Sequence, residues 1–176
     1  MTTAFLAEDV AREEGYAKAL PDGRCMSYPD PLSPFAKALR LPPAQRPKGW
    51  QTFSPEPWTI GYGVCGPDVN RSTVWTQPQA YARLIMKLAE IQAALDAQIP
   101  WWRRLSDPRQ DVLAQMAYQL GTRGLMNFRK ALAAMQSQQW ALAAAEMLDS
   151  SWAIQTPERA ARLAQQMHDG VRVTPG

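Results

Sequence analysis

Apolar residues recur at helical spacing through most of the second half of the chain. Tyr81, Leu84, Ile85, Leu88, Ile91 and Leu95 keep that period, so a long helix is predicted from about Pro78 to Gln98. Thr76 should cap it and Pro100 should stop it. Leu113, Met116, Ala117 and Leu120 form the next stripe, in a helix opened by Asp107 as cap, with Pro108 in its first turn, and ending at Gly121. Further helices are predicted at about 125–136 and 140–148. The last begins at Thr156-Pro157-Glu158, with Ala160, Leu163, Ala164 and Met167 inward and Arg159, Arg162, Gln165 and Gln166 outward. At the other end, Leu6 and Val10 mark a shorter helix that starts at Thr2 or Thr3 and stops at Gly15.

The stretch between these helices is different. Ten of the 15 prolines fall between Pro21 and Pro67, which rules out helices longer than a turn or two there. Within it, Trp58-Thr59-Ile60-Gly61-Tyr62-Gly63 alternates β-formers with glycines and reads as a short strand running into a tight turn. The predicted order is therefore one short helix, an irregular and partly β segment, and a helical body.

Composition narrows the chemistry. With 176 residues, 46% hydrophobic and 20% charged, the chain suits one soluble globular domain. No run of about 18 apolar residues is present, and the acidic N-terminal stretch lacks the apolar core of a signal peptide. One histidine and two cysteines are too few for an all-Cys/His zinc site, so no metal and no cofactor is expected. Cys25 and Cys65 form no CxxC motif and are expected to stay reduced. Acid–base work then falls to carboxylates. Charge is uneven: residues 1–70 hold seven basic against eight acidic side chains, residues 71–176 twelve against eight. A basic second half suits an anionic polymer or surface, though a solvated helical surface explains it as well.

Two carboxylates stand out. Extending the stripe Leu6, Val10 by four residues reaches Glu14, whereas adding seven to Leu6 reaches Glu13; periodicity does not choose between them. A partly desolvated carboxyl at this helix end suits a general acid. Asp30 lies in Tyr28-Pro29-Asp30-Pro31, where flanking prolines restrict the backbone and hold the side chain in place. Gly61-x-Gly63 lacks the rest of a nucleotide-binding fingerprint, and no nucleic-acid motif accompanies the basic half.

Taken together, Glu14-Gly15, Tyr28-x-Asp30 and Thr59-Ile60-Gly61-Tyr62-Gly63 resemble the active-site signature of the phage-type lysozymes, glycoside hydrolase family 24. The second half resembles the family too, through Gln119-Leu120-Gly121, Gly124, Phe128, Trp140, Trp152 and Gln155-Thr156-Pro157-x-Arg159-Ala160. The resemblance implies an α+β, lysozyme-like fold: a small, partly β catalytic lobe joined by a long helix to a larger all-helical lobe. It places one domain over 1–176, with a catalytic lobe over about 1–70, a connecting helix over about 71–98 and a helical lobe over about 99–176. It implies an endolysin-type muramidase that cuts peptidoglycan glycan strands, with Glu14 as general acid, Asp30 as second carboxylate and Thr59 positioning water. Substrate contacts carried over by position are Tyr118, Gln115, Gln119 and Cys65.

Departures from the family are specific. Val64 stands where the family usually has histidine, Ala131 replaces a small hydroxyl contact, and Glu146 occupies an amide position. Residues 32–57 form a Pro-rich insertion, expected to pack over the small lobe and border the sugar site. Trp140 and Trp152 are expected in the core of the helical lobe, and one ring of Trp101-Trp102-Arg103-Arg104 is expected to be buried. The last helix is read as closing a bundle, with contact to an anionic outer membrane left open. A monomer made in the host cytoplasm, exported through a holin pore and acting in the periplasm completes the expectation. Competing readings are a lytic transglycosylase, disfavoured by Asp30 and Thr59 beside Glu14, and a non-catalytic peptidoglycan binder.

Overall fold

The structure, a computed structural model, describes residues 4–17 and 19–174. The expected cap at Thr2 or Thr3 lies outside them. The chain divides into two compact units, one spanning Ala11–Ile85 and the other joining the residues up to Val10 with those from Met86 on.

The smaller unit is built on short antiparallel strands. Strands β1 (Cys25–Met26) and β5 (Val74–Trp75) pair with each other. Strands β2 (Tyr28–Pro29), β3 (Trp58–Ile60) and β4 (Val64–Cys65) form a second sheet in that spatial order. Tyr28 lies opposite Thr59, and Thr59 opposite Cys65. Directly opposed residues share a face, so these three side chains form one row across the sheet. The β3–β4 turn needs its glycines: Gly61 and Gly63 have φ of 61° and 78°. A Cβ at Gly61 would also lie 2.8 Å from the Ala80 Cβ. Tyr62, at the centre of this turn, is buried and stacks with Tyr16 and Tyr81.

The Pro-rich insertion folds on itself. Helix α2 (Pro34–Arg40) is capped by Ser33, whose hydroxyl accepts from the Ala36 N–H at 3.1 Å. Phe35 packs on Trp50 with centroids 5.5 Å apart, and the Arg46 guanidinium lies over the same Trp50 ring. Arg46 also donates to the Leu39 and Leu41 carbonyls, closing the C-terminal end of α2.

Helix α1 (Ala4–Glu14) ends where expected, with Gly15 in the left-handed region at φ 67°. Helix α3 (Gln77–Gln98) starts with a reciprocal cap: Thr76 N–H donates to Gln79 Oε1 at 2.8 Å, and Gln79 N–H to Thr76 Oγ1 at 3.4 Å. The following helix, α4 (Asp107–Leu125), differs from the prediction at both ends. Ser106, not Asp107, is the cap residue, and the helix continues past Gly121 across a kink where φ is 72° and ψ 155°. A glycine absorbs the break there, so the chain turns without stopping. Helix α5 (Arg129–Gln136) consequently begins four residues later than predicted; α6 (Trp140–Leu148), a short α7 (Ser151–Gln155) and α8 (Pro157–Asp169) follow.

In the helical unit, α6 packs on both α5 and α8, and α4 and α7 also lie on α8. Leu113, Met116, Leu163 and Met167 supply its core as their spacing predicts. Trp152 is buried and Trp102 fully so, its indole N–H donating to Asp96 at 2.7 Å. Trp140 is half-buried rather than central: the Arg109 guanidinium covers its ring at 3.8 Å. Arg109 also donates to the Met167 and His168 carbonyls, closing the end of α8 before Gly170. No described helix is long and apolar enough to cross a membrane.

Arg162 and Gln166, predicted to face outward, are buried. Arg162 Nη1 donates to Asp9 at 3.0 Å and Nη2 to Gln115 at 3.1 Å, while Gln115 Nε2 donates to Asp9 at 2.7 Å. Gln166 donates to the Pro108 carbonyl and accepts from the Val173 N–H. These polar side chains enter the interior because each meets a buried partner. Arg172 pairs with Asp111, yet burial still pushes the Asp111 carboxyl up to about 6.

Removing one member of a buried ion pair strands the other. Arg162→Met should destabilise the protein by about 3–5 kcal/mol, a Tm loss of roughly 6–20 °C for a chain this long. Asp9→Leu combined with Arg162→Met should recover much of that loss in thermal unfolding followed by circular dichroism. Parental stability in the single variant would show that the pair does not hold the fold.

Candidate active site

Asp30 is held through both its main chain and its side chain. Its N–H donates to the Pro57 carbonyl at 2.8 Å, and its own carbonyl accepts from the Ser33 N–H at 2.9 Å. In the side chain, Oδ1 accepts from the Leu32 N–H at 2.7 Å and Oδ2 from Thr59 Oγ1 at 2.8 Å. The two prolines beside Asp30 thus leave a backbone that two main-chain bonds complete, and the carboxylate has one orientation. Thr59 is buried on the central strand of its sheet, with 3% of its surface exposed. Because its single hydroxyl proton goes to Asp30, the oxygen keeps lone pairs that can accept from water.

Glu14 reaches the same sheet from the end of α1. A Cβ at Gly63 would sit 3.1 Å from Glu14 Oε2 and 3.7 Å from its Cδ. Glycine at 63 is favoured by the positive φ, and a Cβ there would press on this carboxylate and shift it by a few tenths of an ångström. Tyr28 senses both acids: burial pushes its hydroxyl above the usual range, and the charges of Glu14 and then Asp30 push it further. Glu14, Asp30 and Thr59 are thus gathered around Tyr28 and the β3–β4 turn. Periodicity left Glu13 and Glu14 open, and Glu14 is the one whose carboxylate lies against Gly63.

Cys65 lies exposed beside this group, opposite Thr59 in register, whereas Cys25 is buried; both are free thiols. The remaining predicted contacts belong to the other unit. Tyr118 and Gln119 are half-buried on α4, and Gln119 Oε1 accepts from the Trp152 indole at 2.7 Å. Gln115 is 4% exposed, and both ends of its carboxamide are spent on Asp9 and Arg162. That position braces the helix interior. The buried Asp9, Gln115 and Arg162 cluster was invisible to helical periodicity, which counts such side chains as outward. Among the described residues no cluster of His, Cys, Asp and Glu could hold a metal ion.

Comparison with known proteins decides the family. Residues 37–166, well over half of the chain, match the model of the phage lysozyme family. The chain belongs to that family. Two curated relatives, "Probable T4-type lysozyme 2" and "Probable T4-type lysozyme 1" of Dictyostelium discoideum, are 33% and 30% identical to it over 69 residues. That alignment covers 39% of this chain and 41% of each relative, so the match spans about two fifths of either relative's length. In this phage lysozyme family member the fold is α+β and lysozyme-like, as the resemblance implied. The family match includes Thr59, Gly63 and Cys65 but begins after Glu14 and Asp30, so those two carboxylates stand on the geometry above.

The packing of Gly63 against Glu14 gives a controlled test. Against purified peptidoglycan, the substrate that the resemblance implies, Gly63→Ala should lower the clearing rate by about tenfold or more, since small displacements of a reacting group are costly. Gly23→Ala carries a similar backbone penalty, because Gly23 has φ 83°, yet a Cβ there would meet nothing within 4 Å. It should leave the rate near the parental value. Equal losses in the two variants, measured at matched folded fraction, would contradict the Glu14 contact.

Proposed function

We propose that this chain is a muramidase that hydrolyses the β-1,4 bond between N-acetylmuramic acid and N-acetylglucosamine in peptidoglycan. The observation that carries the reading is the Thr59–Asp30 hydrogen bond of 2.8 Å, set in the sheet whose β3–β4 turn makes room for Glu14. Family membership supports the substrate class, and the pair of carboxylates supports the reaction type.

Each residue then has a chemical task. Glu14 donates its proton to the glycosidic oxygen as the bond to the leaving sugar breaks. Positive charge grows at the anomeric carbon, and Asp30, held by the Leu32 N–H and the Thr59 hydroxyl, stabilises it. The lone pairs of Thr59 accept from the water that attacks that carbon, and as the new C–O bond forms the proton the water loses passes to the Asp30 carboxylate. Tyr28 lies within the field of both acids, whose charges raise its hydroxyl further after burial has done so, which keeps the phenol protonated beside them. Tyr118, Gln119 and Cys65 are proposed sugar contacts; Gln115 is proposed to act only by bracing α4. The wider role we propose is host lysis by an endolysin acting as a monomer, released from the cytoplasm through a holin pore.

Glu14→Gln should reduce clearing of purified peptidoglycan by about 10²–10⁴-fold, the usual contribution of a general acid. Its melting temperature should stay within a few degrees of the parent, because the exchange keeps the size of the side chain at the end of α1. Clearing at the parental rate would remove Glu14 from the mechanism.

A further inference from the structure

The helical unit carries a pocket that the proposed chemistry does not use. It has a volume of about 400 Å³ and lies where the turn at Trp102–Arg104 and the start of α4 meet the ends of α5 and α6. That is room for about one sugar ring with its substituents. Trp101 and Trp140 supply aromatic surface; Arg104, Ser106, Arg109 and Gln138 supply polar groups, and no lining residue is acidic.

The donors of this pocket are mostly unspent. Neither indole N–H of Trp101 or Trp140 has a hydrogen-bond partner among the described residues, in contrast to Trp102 and Trp152. Ser106 occupies the cap position of α4 without using its side chain to cap it. Arg104 is exposed and has no ion-pair partner among the described residues. Arg109 is fixed in place: Nε and Nη2 bond the Met167 and His168 carbonyls, the plane lies 3.8 Å from the Trp140 centroid, and Nη1 is left over. Asp169, the acid that acts on Arg109, is itself paired with His168 at 2.6 Å.

The Trp101 indole suits the C–H face of a pyranose, Trp140, its ring covered by Arg109, offers its N–H, and an excess of N–H donors over acceptors suits hydroxyl and anionic oxygens. A fixed guanidinium beside an exposed one selects for negative charge, since the fixed group loses little freedom on binding. We propose that this pocket is a second, non-catalytic site that binds an anionic amino-sugar unit of an envelope glycan. Such a site would hold the protein on its polymer between cleavage events and raise the effective concentration of glycan near it. The ligand chemistry is a pyranose bearing a carboxylate or a phosphate. The first points to muramic acid of the wall itself, the second to phosphorylated envelope glycans.

The test uses the full chain carrying Glu14→Gln, labelled with ¹⁵N. The indole N–H signals of Trp101 and Trp140 are assigned by Trp101→Phe and Trp140→Phe and followed during titration. The probes are N-acetylmuramic acid, N-acetylglucosamine 6-phosphate and neutral N-acetylglucosamine. At least one anionic sugar should move both signals saturably, and neutral sugar should bind about threefold or more weaker. Arg104→Gln, an exposed change, should weaken anionic binding by a similar factor with unchanged melting. Whichever anionic probe binds tighter names the source of the glycan. Two unmoved indole signals, equal binding of the neutral sugar, or anionic binding indifferent to Arg104→Gln would each overturn the proposal.

Discussion

Everything proposed for the smaller unit depends on how Asp30 is fastened. Four hydrogen bonds, two to its main chain and two to its carboxylate, fasten the turn at residues 30–33 and join it to the segment 57–59, 29 residues on from Asp30 to Thr59. The bond to the Pro57 carbonyl closes the insertion at its base, so 26 residues leave and return without disturbing the strand that carries Tyr28. The bond from Thr59 ties the carboxylate to the central strand, whose register sets Tyr28 and Cys65 on either side. A one-residue slip of β3 would turn Thr59 to the other face and break the arrangement at once. Gly63 completes it, since its φ of 78° favours glycine and the missing Cβ leaves the Glu14 carboxylate undisplaced.

How legible this was differs between the two units. Chemistry in the smaller unit is written locally: prolines on both sides of Asp30, β-formers followed by glycines after Trp58, and a glycine straight after Glu14 are all short-range signals. Helix starts with reciprocal side chains, such as Thr76 with Gln79, are equally local. What escaped was long-range. Arg162 and Gln166 look outward because periodicity sorts polar residues to the surface. Their burial is decided by Asp9, 153 residues from Arg162, and by Pro108, 58 residues from Gln166. The choice between Glu13 and Glu14 needed the position of a turn about fifty residues further on, which no helical wheel contains. Gly121 misled in the opposite sense: a glycine that usually ends a helix here bends one.

Arg109 plays the organising part in the helical unit that Asp30 plays in the smaller one. It closes α8 through two carbonyls and covers Trp140, so a ring expected in the core sits instead at the edge of a pocket. Gly170 is tied to this arrangement as well, because a Cβ there would fall 2.8 Å from the guanidinium. One side chain thus links the end of one helix to the start of another and shapes the surface between them. The buried Asp9, Gln115 and Arg162 cluster works in the opposite way, holding α1, α4 and α8 together from inside with no group left at the surface for a ligand.

The central claim is that water, positioned by Thr59 and Asp30, attacks the anomeric carbon while Glu14 protonates the leaving oxygen. Digesting purified peptidoglycan in ¹⁸O-labelled water and weighing the products by mass spectrometry tests it directly. Reducing N-acetylmuramic acid ends that carry one ¹⁸O for each bond cut are expected. Unlabelled 1,6-anhydro ends would show that the sugar's own hydroxyl had attacked instead, and would contradict the account.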